Sequence, residues 1–541
     1  MKKSIYFLGV LLIAAFCIAP LINLFMVPDA SSYSAVLQNE NTRKAALNTV
    51  IVSGLVGLSC LLIGLPLSWL LSRTDLKFKS HFRSWYCLPY AIPPFVGAIG
   101  WIILANPTSG VLNQWFGLGL NIYSLAGLVW VETSFLFTFV LLNALTLLDQ
   151  MDSSLDEAAR LSGASGLRVF FDIALPMMKP AIISGFLLSF IATSASFGVP
   201  ALIGGPARIY LMTTQIYTYQ RMGTENGMQM SIAIAVILAI STLVLLYSAQ
   251  LFMSLNKNYS VGGKSSKLSS VPLRHWNTPI AVLLSVFLFL IFILPLLGVL
   301  LSAFSAVQGS WSFANLTLSN YYRVLFETEE TARAIGQSLL LGFSAASICT
   351  VFSFFMNYFI QKTNWRSRTI AAVAANIPFS TPGTVLALAL ILSFSQGFFG
   401  IGPSFYNTLF LIGLAYVAKY LSLSLKTVGD GYQQIHPSLE EAARISGASW
   451  WQVMTDIYWP LLKTALMASM FLVFMPVLSE LTMTIFLTGP GLETLGALIF
   501  QLQEYSDMAG GGSAVLSSIV VAFIFTLNFS LKALSKGRYG L

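Results

Sequence analysis

The sequence is poor in charged residues, cysteine and histidine. Only 9% of its 541 residues are charged, and it has four cysteines and three histidines. About a quarter of the residues of a soluble globular protein are charged, so this composition excludes that class. The cysteines stand singly inside apolar runs and form no CxxC pair, so we expect no disulfide framework. The histidines have no metal-site spacing, and we predict no metal site.

Hydrophobic residues make up 56% of the chain, and the mean hydropathy is +0.77. Apolar runs of about 20 residues, the length that crosses a bilayer, recur throughout. They predict an all-α polytopic membrane protein with about twelve spans. The first run, from Ile5 to Val27, is too long for the apolar region of a signal peptide and is predicted to be a span. The predicted spans are 5–27, 46–71, 85–105, 122–148, 179–203, 229–253, 277–304, 334–360, 369–395, 405–428, 463–487 and 514–534.

Basic residues are distributed unevenly between the two sides of these spans. With the N-terminus inside, about 22 Lys and Arg fall in cytoplasmic segments and six in outer ones. By the positive-inside rule, both termini are predicted to be cytoplasmic. This asymmetry accounts for the net charge of +8 without a nucleic-acid partner.

One polar stretch occurs twice. Leu155 to Ile182 and Leu439 to Leu466 agree at 15 of 28 positions, at an offset of 284 residues. A Ser/Gly/Lys-rich segment, 254–276, divides the spans six and six. We therefore predict a first repeat at 1–253, a cytoplasmic linker at 254–276 and a second repeat at 277–541. An even number of crossings in each half makes the repeats parallel, and the polar loops at 149–178 and 429–462 face the cytoplasm.

Each polar stretch reads as two short helices joined by a glycine turn. Ser154 and Ser438 would cap the first helix in a capping box, and Gly163 and Gly447 fit a left-handed position at its end. One interpretation is an amphipathic helix at the membrane surface without a partner. Retention of the same small and charged residues in two copies favours docking sites instead. These residues are Glu157, Ala158, Ala159 and Arg160 in the first copy, and Glu441, Ala442, Ala443 and Arg444 in the second.

The repeated stretch resembles the EAA motif, EAA-x3-G-x9-I-x-LP, of permease subunits in binding-protein-dependent ABC importers. The first copy carries Glu157-Ala158-Ala159, Gly163, Ile173, Leu175 and Pro176. The second carries Glu441-Ala442-Ala443, Gly447, Ile457 and Pro460, with Trp459 in place of the leucine. With six spans in each half, the resemblance covers nearly the whole chain, and it implies the type I importer permease fold.

The resemblance also implies partners. The EAA loops would be coupling helices, each seated in a groove of one of two cytoplasmic ABC ATPases, which bind ATP and Mg. This chain would hold no cofactor. A solute-binding protein would dock on the far side of a bacterial inner membrane, on the loops 28–45, 204–228, 305–333 and 489–513. Fused permeases of this type resemble those of the ferric-iron importers, so ferric iron is the expected solute, with thiamine or a phosphonate as the alternative.

The chain itself is expected not to be an enzyme. Gly263-Lys264-Ser265 has the end of a phosphate-loop pattern, but Asn258 stands where the first glycine is required. Another class, an ion-gradient-driven secondary transporter, also uses parallel repeats, but the paired EAA loops and few intramembrane charges count against it. A scaffold or receptor would not need pseudo-symmetric spans.

Five residues are candidates for the transport pathway. Glu480 is predicted near the middle of the eleventh span and Glu132 near the start of the fourth, where an acid needs a partner or water. Ser196 is the repeat partner of Glu480. Pro93 and Pro382 would break the third and ninth spans, and broken backbone at this depth lines protein or a cavity. Interhelical hydrogen bonds and packing kinks are the alternative interpretations.

Overall fold

The computed structural model describes residues 2–150, 159, 161–255, 271–363, 368–505 and 511–534. Within these ranges strand pairing is limited to isolated bridges, and the remaining regular structure is helical. The α-helices are α1 Lys2–Ile13, α2 Ala19–Met26, α3 Ala30–Gln38, α4 Glu40–Arg73, α5 Lys79–Cys87, α6 Pro94–Ala105, α7 Val111–Phe116, α8 Leu125–Gln150, α9 Gly166–Val169, α10 Leu175–Met177, α11 Lys179–Ala195, α12 Met212–Arg221, α13 Glu225–Leu255, α14 Asn277–Leu288, α15 Leu294–Phe304, α16 Ser319–Tyr322, α17 Glu329–Lys362, α18 Arg368–Ser380, α19 Gly383–Phe394, α20 Leu409–Gln433, α21 Pro437–Ile445, α22 Trp450–Gln452, α23 Trp459–Leu478, α24 Thr484–Leu487, α25 Leu495–Glu504 and α26 Gly512–Leu534. Short π-helical segments at Ala14–Ile18, Phe289–Ile293 and Val453–Tyr458 join neighbouring helices into single spans.

The described residues contain nine helices long and apolar enough to cross a membrane, or twelve if each sharply bent pair is one span. Each of the twelve predicted spans corresponds to one of these, so the predicted fold class is confirmed. The bent pairs turn by 94° at the third span, 59° at the fifth and 107° at the ninth. Pro93 and Pro382 stand directly before α6 and α19 in extended backbone, so the predicted breaks at both prolines are confirmed.

The predicted ends of the fifth and eleventh spans are wrong. Hydropathy extends these spans to residues 203 and 487, whereas α11 ends at Ala195 and α23 ends at Leu478. The apolar residues that follow belong to non-helical backbone and short helical turns. Glu480 therefore lies two residues beyond the end of a helix and not in the middle of a span.

Small residues bring the central helices of the first half close together. A Cβ atom at Gly64 of α4 would lie 2.8 Å from the Val140 Cβ atom of α8, and one at Gly185 of α11 would lie 3.1 Å from Val140 Cγ2. Close backbone approach at small residues is the usual basis of helix association in membranes.

The two halves exchange spans. One apolar core joins the central spans of the second half to α1, α2, α12 and α13 of the first. The other joins the central spans of the first half to α14, α15 and α26 of the second. The end of the predicted linker is also attached to the first half, because the Leu273 N–H donates to Asp75 Oδ1 (2.7 Å) and Asn277 Nδ2 donates to the Asp75 carbonyl (2.8 Å).

Candidate functional site

The second copy of the repeated stretch folds as predicted, except at its start. Its first helix, α21, begins at Pro437, and the His436 ring accepts the Ser438 N–H (3.3 Å). The cap is therefore His436 and not Ser438, because proline already occupies the first helical position, where its missing N–H costs nothing. A second helix begins after Ser449, which forms a capping box with Gln452.

Both glycine turns adopt the predicted left-handed conformation. Gly163 and Gly447 each have φ +84°. The Ala448 N–H donates to the Ala443 carbonyl (3.0 Å), and the Ala164 N–H donates to the Ala159 carbonyl (3.0 Å). These bonds close the same helix-ending turn in both copies. Glu157, Ala158 and Arg160 of the first copy lie outside the described residues.

The inner face of α21 is tied to the membrane helices through Glu440. Tyr458 donates to its Oε2 atom (2.6 Å), while Tyr358 (3.0 Å) and the Arg444 Nε atom (2.9 Å) donate to Oε1. Burial opposes ionisation of this carboxyl, but the three hydrogen-bond donors outweigh it and lower the pKa of Glu440. The guanidinium of Arg444 also donates to Tyr358 (2.7 Å), so it is engaged within the permease. Ala443 is half-buried against the same core.

The outer face of α21 is exposed and carries an apolar side chain. Glu441 and Ala442 are exposed, and Ile445 is 88% exposed. Its repeat partner in the first copy, Leu161, is 91% exposed. Each coupling element, the helix and glycine turn around Leu161 or Ile445, thus presents a large apolar residue two positions before its glycine.

A cavity of about 330 Å³ lies between the halves, where the helices are interrupted. It brings together four of the five pathway candidates: Glu132, Glu480, Ser196 and Pro93. Pro382 is not among its lining residues. Its other polar lining side chains are Tyr90, Tyr420, Ser479 and Thr482.

Glu480 closes the break that follows α23. Its carboxylate accepts the N–H groups of Met483 (2.9 Å) and Thr484 (3.0 Å) and the Thr484 hydroxyl (2.6 Å). Tyr416 shares a hydrogen bond of 2.6 Å with the Thr484 hydroxyl. Tyr416 is the repeat partner of Glu132, just as Ser196 is the repeat partner of Glu480. Each half therefore carries one acid, but at a different one of these two repeated positions.

Sequence reasoning missed Lys419 on α20. Its ammonium group donates to the carbonyls of Phe379 and Thr381, at the break before Pro382. It also acts electrostatically on Glu480. The signal was present in the sequence, because Lys419 lies within a predicted span and belongs to neither the cytoplasmic nor the outer set of basic residues.

Beyond the cavity, four aromatic rings from both halves form one cluster, here called the aromatic layer: Phe197, Tyr217, Phe486 and Phe500. Phe197 lies 5.0 Å from Tyr217 and 5.4 Å from Phe500, and Tyr217 lies 5.7 Å from Phe486. Arg221 and Glu504 approach within 3.5 Å beside the layer. Because α11 separates Phe197 from the first coupling element by about 25 Å, the layer stands at the far end of the pathway.

Comparisons with known proteins agree with this architecture. The family model of the binding-protein-dependent transport system inner membrane component matches residues 61–256 and 339–538. A putative ferric transport system permease protein of Haemophilus influenzae is 24% identical over 502 residues, covering 88% of this chain and 76% of that protein. A ferric transport system permease protein of Actinobacillus pleuropneumoniae is 23% identical, covering 96% and 76%.

Two further similarities cover single halves. A molybdenum transport system permease protein of H. influenzae is 30% identical over 211 residues, covering 37% of this chain and 91% of that protein. The crystal structure of a bacterial alginate ABC transporter has a TM-score of 0.40 and 15% identity, and covers 50% of this chain and 97% of that chain. Because the two family matches together span well over half of the sequence, the chain belongs to the inner membrane components of binding-protein-dependent transport systems, the permease subunits of ABC importers.

Proposed function

We propose that this permease imports ferric iron that an extracytoplasmic solute-binding protein delivers. The observation that carries this proposal is the similarity to ferric transport permeases along 88% and 96% of the chain. The similarity to a molybdenum permease covers only 37%. Two carboxyl groups in the cavity suit a cation as cargo.

The chain would supply both halves of the pathway, a first repeat at 1–253 and a second at 277–541, joined by the linker at 254–276. The two family matches, each containing one EAA stretch, support this division. The anchoring of Leu273 and Asn277 on Asp75 supports a linker that returns to the first half before the next span begins.

Two copies of a cytoplasmic ABC ATPase would bind the two coupling elements and hold ATP and Mg, so the energy for transport would come from partner subunits. The exposure of Leu161 and Ile445 at equivalent positions supports two equivalent docking contacts. Glu157, Ala158, Ala159, Arg160 and Gly163 would contribute to one contact, and Glu441, Ala442, Ala443, Arg444 and Gly447 to the other. Both termini would then be cytoplasmic, and the aromatic layer would face the binding protein.

Alternating access follows from this arrangement. Closure of the ATPases would draw the coupling elements together, and α11 and α23 would transmit the movement directly to the breaks at Ser196 and Glu480. The rings of the aromatic layer would separate. The cavity would then close towards one side of the membrane and open towards the other.

Uptake into proteoliposomes tests the function. The vesicles would contain the permease and its ATPase, with ATP inside and the binding protein outside, and ferric iron, thiamine, aminoethylphosphonate, molybdate and sulfate would be offered in turn. We expect ATP-dependent uptake of ferric iron alone. Uptake of another solute would overturn the assignment to iron, and uptake that followed a proton gradient without ATP would overturn the importer mechanism.

A further inference from the structure

The two carboxyl groups of the cavity differ in what surrounds them. Glu480 is 8% exposed and accepts three hydrogen bonds, and the charge of Lys419 acts on it. Glu132 is 1% exposed, and both of its carboxyl oxygens are buried without a hydrogen-bond partner among the described residues. Ser196 is a polar neighbour of this carboxyl group, but its hydroxyl does not meet the geometry of a hydrogen bond. The uncompensated acid of the cavity is therefore Glu132.

A buried acid without a partner is costly unless it faces water or a ligand. Glu132 lines a cavity of about 330 Å³, and a water molecule takes about 30 Å³ of liquid volume. About ten waters fit, which is enough space for a metal ion with a first shell of six. No lysine, arginine or histidine is among the described residues that line the cavity.

We propose that Glu132 is a transit site for a multivalent metal cation, with its carboxylate as the ligand inside the membrane. Ser196, Tyr90 and Tyr420 line the same cavity and carry hydroxyl oxygens, and hard cations take oxygen ligands. Glu480 instead holds the helix break and is a positioning residue. This proposal rests on the proposed function for the identity of the cargo. It also predicts that the pathway accepts metal cations as a class and rejects oxyanions such as molybdate and sulfate.

The site is suited to passage and not to storage. No group of three or more potential metal-binding acids, cysteines or histidines occurs in the described part of the chain. A cation would meet the carboxylate of Glu132, neutral oxygens and the carboxylate of Glu480, whose oxygens already accept hydrogen bonds. Transport requires binding strong enough for entry and weak enough for release. An oxyanion would meet an uncompensated negative charge at the same place.

The test compares Glu132→Gln and Glu132→Asp with Asp430→Asn, which changes an exposed acid near the end of α20. Uptake of radioactive ferric iron and ATP hydrolysis stimulated by the binding protein would be measured in the same vesicles. We expect Glu132→Gln to lower uptake about tenfold or more, with stimulated ATP hydrolysis unchanged. Glu132→Asp should retain most uptake and Asp430→Asn all of it. Iron uptake by Glu132→Gln at the wild-type rate would overturn the site and leave the proposed function intact.

The outcomes also separate the site from the choice of iron. If the wild type transports Ga(III) or Mn(II) but not iron, and Glu132→Gln abolishes that uptake, the substrate assignment fails and the site stands. If the wild type transports molybdate or sulfate instead, the site is overturned. Should Glu132→Gln fail to fold, Ser196→Lys places an ammonium group beside Glu132. It should block cation uptake, and unchanged cation uptake would overturn the proposal.

Discussion

At the scale of single residues, charge is placed where backbone groups have lost their helical partners. Lys419 donates to two carbonyls at the end of α18, and Glu480 accepts two N–H groups after α23. Each charged side chain replaces hydrogen bonds that a continuous helix would make, which is a strict requirement at membrane depth. The breaks are therefore fixed structures.

Replacing Lys419 by methionine keeps the apolar length of the side chain and removes both hydrogen bonds. A hydrogen bond from a charged donor contributes about 1.5–3 kcal/mol, so we expect a loss of at least about 2 kcal/mol of stability. Thermal unfolding in detergent would show a lower Tm. Lys426→Met, on the same helix at an exposed position, is the matched control. Equal Tm values for the two variants would contradict the role assigned to Lys419.

Glu440 predicts a pH-dependent attachment of α21. Its pKa is lower in the folded protein than in the unfolded chain, so its contribution is present above the unfolded pKa of about 4.3 and lost as the pH falls through the folded value. We expect amide hydrogen exchange in α21 to accelerate in the wild type between pH 7 and pH 3, chiefly below about pH 4.3, after correction for intrinsic rates. Glu440→Gln should exchange faster already at pH 7, by about tenfold, because a charged hydrogen-bond acceptor has been lost.

Glu441→Gln is the control for that experiment, because Glu441 is the exposed neighbour on the same helix. It should leave the exchange of α21 unchanged at both pH values. If Glu440→Gln and Glu441→Gln accelerated exchange equally, any negative charge on α21 would stabilise the helix to the same extent. The specific anchoring role of Glu440 would then be contradicted.

At the scale of elements, the second coupling element has one face attached to the membrane helices and one face free. In α21 the attached face carries Glu440 and the free face carries Ile445. Asp156, the repeat partner of Glu440, lies outside the described residues. Trp69 and Ala174 stand at the repeat positions of Tyr358 and Tyr458, so the two tyrosines that hold α21 have no tyrosine counterparts in the first half. Leu161 and Ile445 give both elements an exposed apolar side chain, whereas the tyrosine anchors are particular to α21.

The shared free face predicts equal contributions to ATPase binding. Leu161→Asp and Ile445→Asp should each weaken binding of the partner ATPase about tenfold or more, since burial of such a side chain contributes about 1.5–3 kcal/mol. Surface binding to the permease in nanodiscs would measure this loss. Phe313→Asp changes an equally exposed apolar residue on an outer loop and should have no effect. ATPase binding at wild-type affinity in both variants would remove these residues from the contact.

The sequence predicted the helices and turns of this protein better than it predicted the contacts between them. Span length, proline breaks and the two glycine turns follow from local rules, and the structure confirms them. Glu480 was misplaced because its segment stays apolar after the helix ends, so hydropathy does not register the break. The anchoring of Glu440 was missed because its tyrosine partners, Tyr358 and Tyr458, come from different helices. Lys419 was missed because only acids were sought within the spans.

At the scale of the whole molecule, the exchanged spans make each half part of the other's core, and the proposed pathway follows the seam between the two cores. The aromatic layer lies on this seam, because Phe486 belongs to one core, Phe197 and Phe500 belong to the other, and Tyr217 packs against both. Its ring pairs contribute about 0.5–1.5 kcal/mol each beyond burial. The pair of Arg221 and Glu504 is partly exposed and contributes about 0–1 kcal/mol. We therefore expect the rings, more than the ion pair, to hold this end of the proposed pathway closed.

This comparison gives an ordered prediction for closure. Phe197→Ala removes a ring that contacts Tyr217, Phe486 and Phe500, and should raise ATP hydrolysis in the absence of binding protein about tenfold. Arg221→Ala should raise it less than about fivefold, and Phe116→Ala, which changes an exposed residue at the end of α7, should not change it. The reverse order, with Arg221→Ala releasing more activity than Phe197→Ala, would make the ion pair the closing contact. If neither variant changed basal hydrolysis, closure at the aromatic layer would not limit the ATPase cycle.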